Sequence, residues 1–212
     1  MKVTALELGP FAARAVILAD ETSGDAMVVD PGFDASVIVR ELHLRHLNPR
    51  AIVLTHAHLD HAYGIATVKE AFRDALVLLH GDDLPLFRNL SAQAEMFGYP
   101  APNSVVEDGL LVDGQHLALG DGFVLIRHCP GHSPGHIVVI DDVIDAPVAV
   151  VGDVLFAGAV GRTDLWGGSF PQLERSIREV LYRLPEHTRV VPGHGADTTI
   201  GHERRHNPFV AG

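Results

Sequence analysis

Four short apolar runs in this chain stop at a histidine or an aspartate, and that recurrence constrains the fold more than any other feature. Ala51-Ile52-Val53-Leu54 runs into Thr55-His56-Ala57-His58-Leu59-Asp60-His61. Phe123-Val124-Leu125-Ile126 precedes Pro130-Gly131-His132-Ser133-Pro134-Gly135-His136. Val148-Ala149-Val150-Val151 precedes Gly152-Asp153, and Arg189-Val190-Val191 precedes Pro192-Gly193-His194-Gly195. Short apolar runs bounded by glycine and proline read as buried strands. Their ends deliver polar groups to one edge of a sheet, where sites on layered α/β folds are built.

Imidazole nitrogen and carboxylate oxygen suit borderline divalent metals such as zinc, iron or manganese. Residues 56 and 58 alternate in an extended segment, so both rings can point the same way. Asp60 and His61 follow where the chain should turn into a helix, facing a second point nearby. The segment therefore reads as two metals side by side.

The order HxHxDH, PGH, GD and PGHG resembles the metallo-β-lactamase fold superfamily. Gly152-Asp153-Val154-Leu155-Phe156, Gly161-Arg162-Thr163-Asp164 and the segment Thr199-Ile200-Gly201-His202-Glu203-Arg204-Arg205-His206-Asn207-Pro208-Phe209 narrow the likeness to short glyoxalase-II-like hydrolases. The resemblance spans Val28 to Phe209 and implies an αββα sandwich, with residues 1–212 forming one domain. It places His56, His58 and His132 on one metal, and Asp60, His61 and His194 on the other. Asp153 would bridge them. Such a centre holds two divalent ions, zinc first, with iron or manganese served by the same ligands. A bridging water on two cations falls toward neutral pKa, so the expected nucleophile is a metal-bound hydroxide, with Asp60 and Asp153 as the catalytic carboxylates.

Further roles follow the same likeness. Asp30 in Val29-Asp30-Pro31-Gly32 would support the ligands from behind, as metal-bound histidines require. His136 is a second candidate for that role, and His80 is placed on the pocket wall. Arg162 stands where longer glyoxalase II enzymes carry a basic residue that contacts glutathione. It either clamps a substrate carboxylate or pairs with Asp164. The expected substrate is a small-molecule thioester, S-D-lactoylglutathione or a related hydroxyacyl thioester. The alternatives are a mononuclear iron persulfide dioxygenase using His56, His132 and Asp153, or a metallo-hydrolase of another ester or lactone. The C-terminal helical domain of classical glyoxalase II is expected to be missing, which relaxes the expectation of glutathione specificity.

Composition limits the partners. Sixteen basic against 27 acidic side chains leave a formal charge of −11, which disfavours nucleic acid and anionic membrane surfaces. No apolar run approaches the roughly 18 residues of a membrane span, and Met1–Leu6 lacks a signal-peptide pattern. The single Cys129 fits a reducing cytoplasm and reads as a buried strand-end residue. His43, His46, His116, His187 and His206 read as surface residues.

The remaining pattern predicts strands at Val3–Leu8, Ala15–Ala19, Met27–Val29 and Leu76–Leu79. A helix capped by Asp34 should run to about Leu47, and another should cover Ala62–Phe72. Between Asp82 and Asp108 only a short helix near Ser91–Phe97 is expected, within a mobile segment over the site. Leu110–Leu119, Phe123–Ile126, Ile137–Ile140 and Val148–Val151 read as a second sheet. Ser169-Phe170-Pro171-Gln172 resembles a capping box opening a long amphipathic helix.

Overall fold

The computed structural model of the chain describes residues 1–141 and 146–212. Its first sheet joins β1 (Lys2–Leu8), β2 (Ala13–Ala19), β3 (Asp25–Val29), β4 (Asn48–Val53), β5 (Leu76–His80) and β6 (Gly109–Leu111) in that spatial order. The second runs β14-β13-β10-β9-β8-β7, built from β7 (His116–Leu119), β8 (Gly122–His128), β9 (Ile137–Asp141), β10 (Val148–Gly152), β13 (Arg189–Pro192) and β14 (Thr198–Thr199). A small hairpin pairs β11 (Leu155–Phe156) with β12 (Ala159–Val160). Both large sheets mix parallel and antiparallel pairs.

Alternation along the strands sets the layers. Val16, Leu18, Met27 and Val29 meet Val124, Ile126, Val139 and Val191 between the sheets. Their neighbours Ile17, Val28, Ile52 and Val77 turn outward. There they pack on α1 (Ser36–Leu44) and α3 (Ile65–Ala71) through Ile38, Leu42, Ile65 and Val68. On the far side, Val138, Ile140, Ala149 and Val190 pack on Leu173 and Ile177 of α6 (Phe170–Glu179) and Ile200 of α7 (Ile200–His206). The result is the expected αββα sandwich. Each fully buried large aliphatic chain in these layers contributes about 1.5–3 kcal/mol of transfer energy.

Several local expectations change. Asp34 does not cap a helix; it sits in the left-handed region at φ 55°, and α1 starts two residues later without a side-chain cap. The expected helix over Ala62–Phe72 is preceded by α2 (Leu59–Ala62) and interrupted at Gly64, where a Cβ would stand 2.2 Å from the Gly32 carbonyl oxygen. Residues 109–111 do not belong to the second sheet; they pair in parallel with β5 and close the first. Ser169 opens α6 but its hydroxyl accepts no hydrogen bond from the first-turn N–H groups, so no capping box forms. The stretch from residue 81 to 96 folds into a short 3₁₀ turn, α4 (Leu84–Arg88) and α5 (Leu90–Met96), which stand beside the ligand segments.

Strand direction now places the site. β3, β4 and β5 are parallel, and β8, β10 and β13 share one direction through β9. All of their C-terminal ends reach the same edge of the sandwich. The two sheets are tied there by Ile137 N–H donating to the Thr55 carbonyl at 2.8 Å and by the Ala13–His194 bridge.

Candidate metal centre

Two groups of donor atoms converge at that edge. His56, His58 and His132 form the first, and Asp60, His61 and His194 the second. Within the first, His58 Nδ1 lies 2.9 Å from His132 Nε2. Within the second, His194 Nε2 lies 3.3 Å from His61 Nε2 and 3.1 Å from Asp60 Oδ2. Asp153 stands between the groups. Its Oδ2 is 3.7 Å from both His132 Nε2 and His194 Nε2, and its Oδ1 is 3.5 Å from His61 Nε2. All seven side chains that the sequence nominated as ligands are therefore in one place.

The donor set fits two divalent cations. Two nitrogens bound to one zinc at about 2.0–2.1 Å stand roughly 3.3 Å apart at a tetrahedral angle, which these spacings approach. Among the described residues, His56 Nε2 and Asp153 Oδ1 are buried without a hydrogen bond. Buried polar atoms normally have partners, so both point to a group that completes them.

The ring orientations are set from behind. His61 Nδ1 faces Asp30 Oδ2 at 3.1 Å, His56 Nδ1 faces Thr55 Oγ1 at 3.0 Å, and His132 Nδ1 faces the Arg162 carbonyl at 2.8 Å. Thr55 Oγ1 already donates to Asp30 Oδ2 at 2.6 Å, so it accepts from His56. Each of these imidazoles thus donates through Nδ1 and turns Nε2 inward. Asp30 also accepts from Thr55 N–H at 2.7 Å, and it holds φ 53°, a strained value for aspartate. Asp30 thus stands directly behind Thr55 and His61.

His136 lies behind the same wall. Its ring stacks on His56 at 4.7 Å, and its Nε2 accepts from the Asp153 N–H at 3.1 Å. It fixes Asp153 through the backbone. Gly152, at φ 47°, is required beside it: a Cβ there would stand 2.4 Å from Thr55 Oγ1 and 2.8 Å from His136 Nε2.

Electrostatics separates the two groups. Burial and neighbouring imidazoles hold His56 well below the ordinary histidine value and bring His58 to about 3; burial also brings His132 to about 4. These rings are neutral, as ligands must be. His61 differs. Burial disfavours its charge, yet Asp60, Asp153 and Asp30 outweigh that and raise it to about 10. Burial would likewise raise Asp60, but His61 and His194 hold it low. The carboxylates create a field that calls for positive charge at this point, and a divalent cation answers the same field.

Some contacts had no signal in the sequence. Asp83 is fully buried, and its carboxylate accepts from Ala57 N–H at 2.9 Å, Ser133 Oγ–H at 2.9 Å and Gly135 N–H at 2.6 Å. It ties the HxHxDH segment to the loop carrying His132. Gln93 donates to the Ala57 carbonyl and accepts from Leu59 N–H, at 3.1 and 3.0 Å.

Other nominated residues fall elsewhere. His80 is not on the pocket wall. It stacks on His128 with ring centroids 4.0 Å apart, and its Nδ1 accepts from Asp82 N–H. β5 ends at the same edge as its neighbour β4, but the stack on His128 at the end of β8 keeps the His80 ring out of the cavity lining. Arg162 does reach the cavity, but its guanidinium forms a two-point pair with Asp164 at 2.7 and 2.8 Å. Cys129 is buried, and burial pushes its thiol far up. His43, His46, His116, His187 and His206 are exposed, as expected.

The fold and this donor set define a metallo-hydrolase scaffold, and the chain belongs to the metallo-β-lactamase superfamily, which it matches over residues 8–194. It is 36% identical over 212 residues to the hydroxyacylglutathione hydrolase GloC of Haemophilus influenzae, covering 99% of this chain and 98% of that one. Among solved structures, the BLEG-1 B3 metallo-β-lactamase superposes with a TM-score of 0.91 at 37% identity over all of both chains. TTHA1623 in a di-iron-bound form does so at 0.87 and 38%, covering 98% of this chain and all of that one. No helix among the described residues is long and apolar enough to cross a membrane.

Proposed function

We propose that this chain is a dinuclear metallo-hydrolase that cleaves a thioester, its substrate class the hydroxyacyl thioesters to which S-D-lactoylglutathione belongs. His56, His58 and His132 would hold one cation, Asp60, His61 and His194 the other, and Asp153 would lie between them; zinc is favoured, with iron or manganese compatible. The observation that carries this reading is Asp153, buried within 3.7 Å of nitrogens from both groups. Bound divalent cations supply Lewis acidity and lower the pKa of a coordinated water.

The chain's own residues do the rest. Asp30, Thr55 and the Arg162 carbonyl hold the imidazoles in one tautomer, so little reorganisation accompanies binding. Asp83 and Gln93 fix the backbone on which His58 and Asp60 stand. The wall of α4 and α5 limits water at one side of a cavity of about 640 Å³. The similarity to GloC supports a thioester. A mononuclear persulfide dioxygenase would use His56, His132 and Asp153 and leave Asp60, His61 and His194 without a task.

The test is a panel of thioesters, esters, lactones and a glutathione persulfide, run on metal-replete protein. Thioester hydrolysis without oxygen uptake is the expected result. Oxygen-dependent persulfide turnover with inert thioesters would overturn the reading.

A further inference from the structure

Above the donor atoms the cavity changes chemistry. His58, Asp60, His132, Asp153 and His194 line its floor, whereas its sides carry Phe11, Leu86, Met96, Phe97, Leu165 and Trp166. Met96, Phe97 and Trp166 are 81, 55 and 58% exposed. Large apolar side chains grouped in solvent beside polar groups mark ligand grooves. The apolar lining comes from two separate parts of the chain: Met96 and Phe97 lie at the end of α5, and Leu165 and Trp166 lie on the loop after β12.

Charge points the same way. Among the described residues lining the cavity, Arg162 is the one basic side chain apart from histidine, and Asp164 already holds it at two points. A glutathione moiety brings carboxylates and an ammonium group, which need charged partners. An alkyl or aryl group needs only apolar walls, and each Å² it covers gains about 25 cal/mol.

We propose that the part of the substrate remote from the reacting carbonyl is uncharged and apolar, a medium-length alkyl or aryl group seated against the cavity lining formed by Met96, Phe97, Leu165 and Trp166. The position of the carbonyl rests on the thioesterase reading; the apolar seat does not. The group could belong to the acyl part or to the thiol.

Trp166 is the chain's single tryptophan, so the seat carries its own reporter. Metal-loaded protein is titrated with two inert thioethers, S-octyl- and S-methyl-N-acetylcysteamine, while Trp166 emission is followed. The octyl compound should shift emission to shorter wavelength and bind at least roughly tenfold more tightly than the methyl one. Met96→Ser should erode that advantage while the melting temperature holds, since that side chain is exposed, and Phe97→Leu, which keeps apolar contact with Phe11, should weaken octyl binding less. Equal binding of the two thioethers, or octyl binding that leaves Trp166 emission unmoved, would overturn the proposal even in an active thioesterase. Octyl binding with the expected shift, in a protein that hydrolyses no thioester, would uphold the seat and sink the thioesterase reading. Octanoyl-N-acetylcysteamine and S-octyl thioacetate then separate the two sources: the apolar part that occupies the seat gives the lower KM.

Discussion

His132 and Met96 line the same cavity, yet one is 2% exposed and the other 81%. His132 is held through Nδ1 by a backbone carbonyl and meets His56, His58 and His136 ring to ring. Met96 ends a helix and projects into solvent. The floor must hold seven donor atoms to within a fraction of an ångström, because metal geometry tolerates little error. The rim must only present apolar area, which an exposed, flexible side chain such as Met96 provides without a fixed pose. Substitutions on the floor should therefore fail sharply, and substitutions at the rim should tune preference.

The largest effect is expected at Asp153. Replacement by Asn keeps the size but removes the charge shared between the two groups, so at least one metal should bind more weakly and most activity should vanish. Metal content and turnover of Asp153→Asn check this together; wild-type values for both would remove its role as the bridge.

Asp83 comes next. Asp83→Ala leaves the Ala57, Ser133 and Gly135 donors unpaired in a buried place, which typically costs about 1–3 kcal/mol for each such group. Loss of a contact supporting metal ligands also lowers metal affinity or activity about 10–100-fold. Denaturant melts and metal titration of the variant measure both. Unchanged stability and metal affinity would show that the ligand loops hold themselves.

Much of the floor was legible in the sequence because strand ends are local events. An apolar run, a glycine and a histidine announce themselves within ten residues. Asp83 was not legible: its partners lie 26, 50 and 52 residues away, and only the closed sandwich brings them together. His80 looked like a pocket-wall residue for the same local reason, a polar ring at a strand end, but its ring stacks on His128 instead. The split of residues 110–119 between two sheets was equally hidden, since a strand's partner is chosen by the whole core. The rim was the least legible part. Met96, Phe97, Leu165 and Trp166 carry no motif, and their common face exists only in three dimensions.

Smaller effects sharpen the contrast. The Arg162–Asp164 pair is exposed on both sides, and exposed pairs add little stability. Arg162→Ala should leave the melting temperature nearly unchanged and lower selectivity little. A raised KM confined to carboxylate-bearing thioesters would show instead that Arg162 leaves Asp164 to grip substrate. Cys129 should show the smallest response. Its thiol is buried and held protonated well above its ordinary value of 9.0, so iodoacetamide at pH 8 should modify it only after unfolding. Rapid alkylation of the folded protein would place Cys129 nearer the cavity than the structure does.

The central claim is that one fold edge presents two complete donor groups joined by Asp153. Elemental analysis of metal-replete, desalted protein tests it most directly. The account predicts two divalent ions per chain, falling toward one or fewer in Asp153→Asn. A stoichiometry of one that persists under excess metal would contradict it and return Asp60, His61 and His194 to an unexplained cluster.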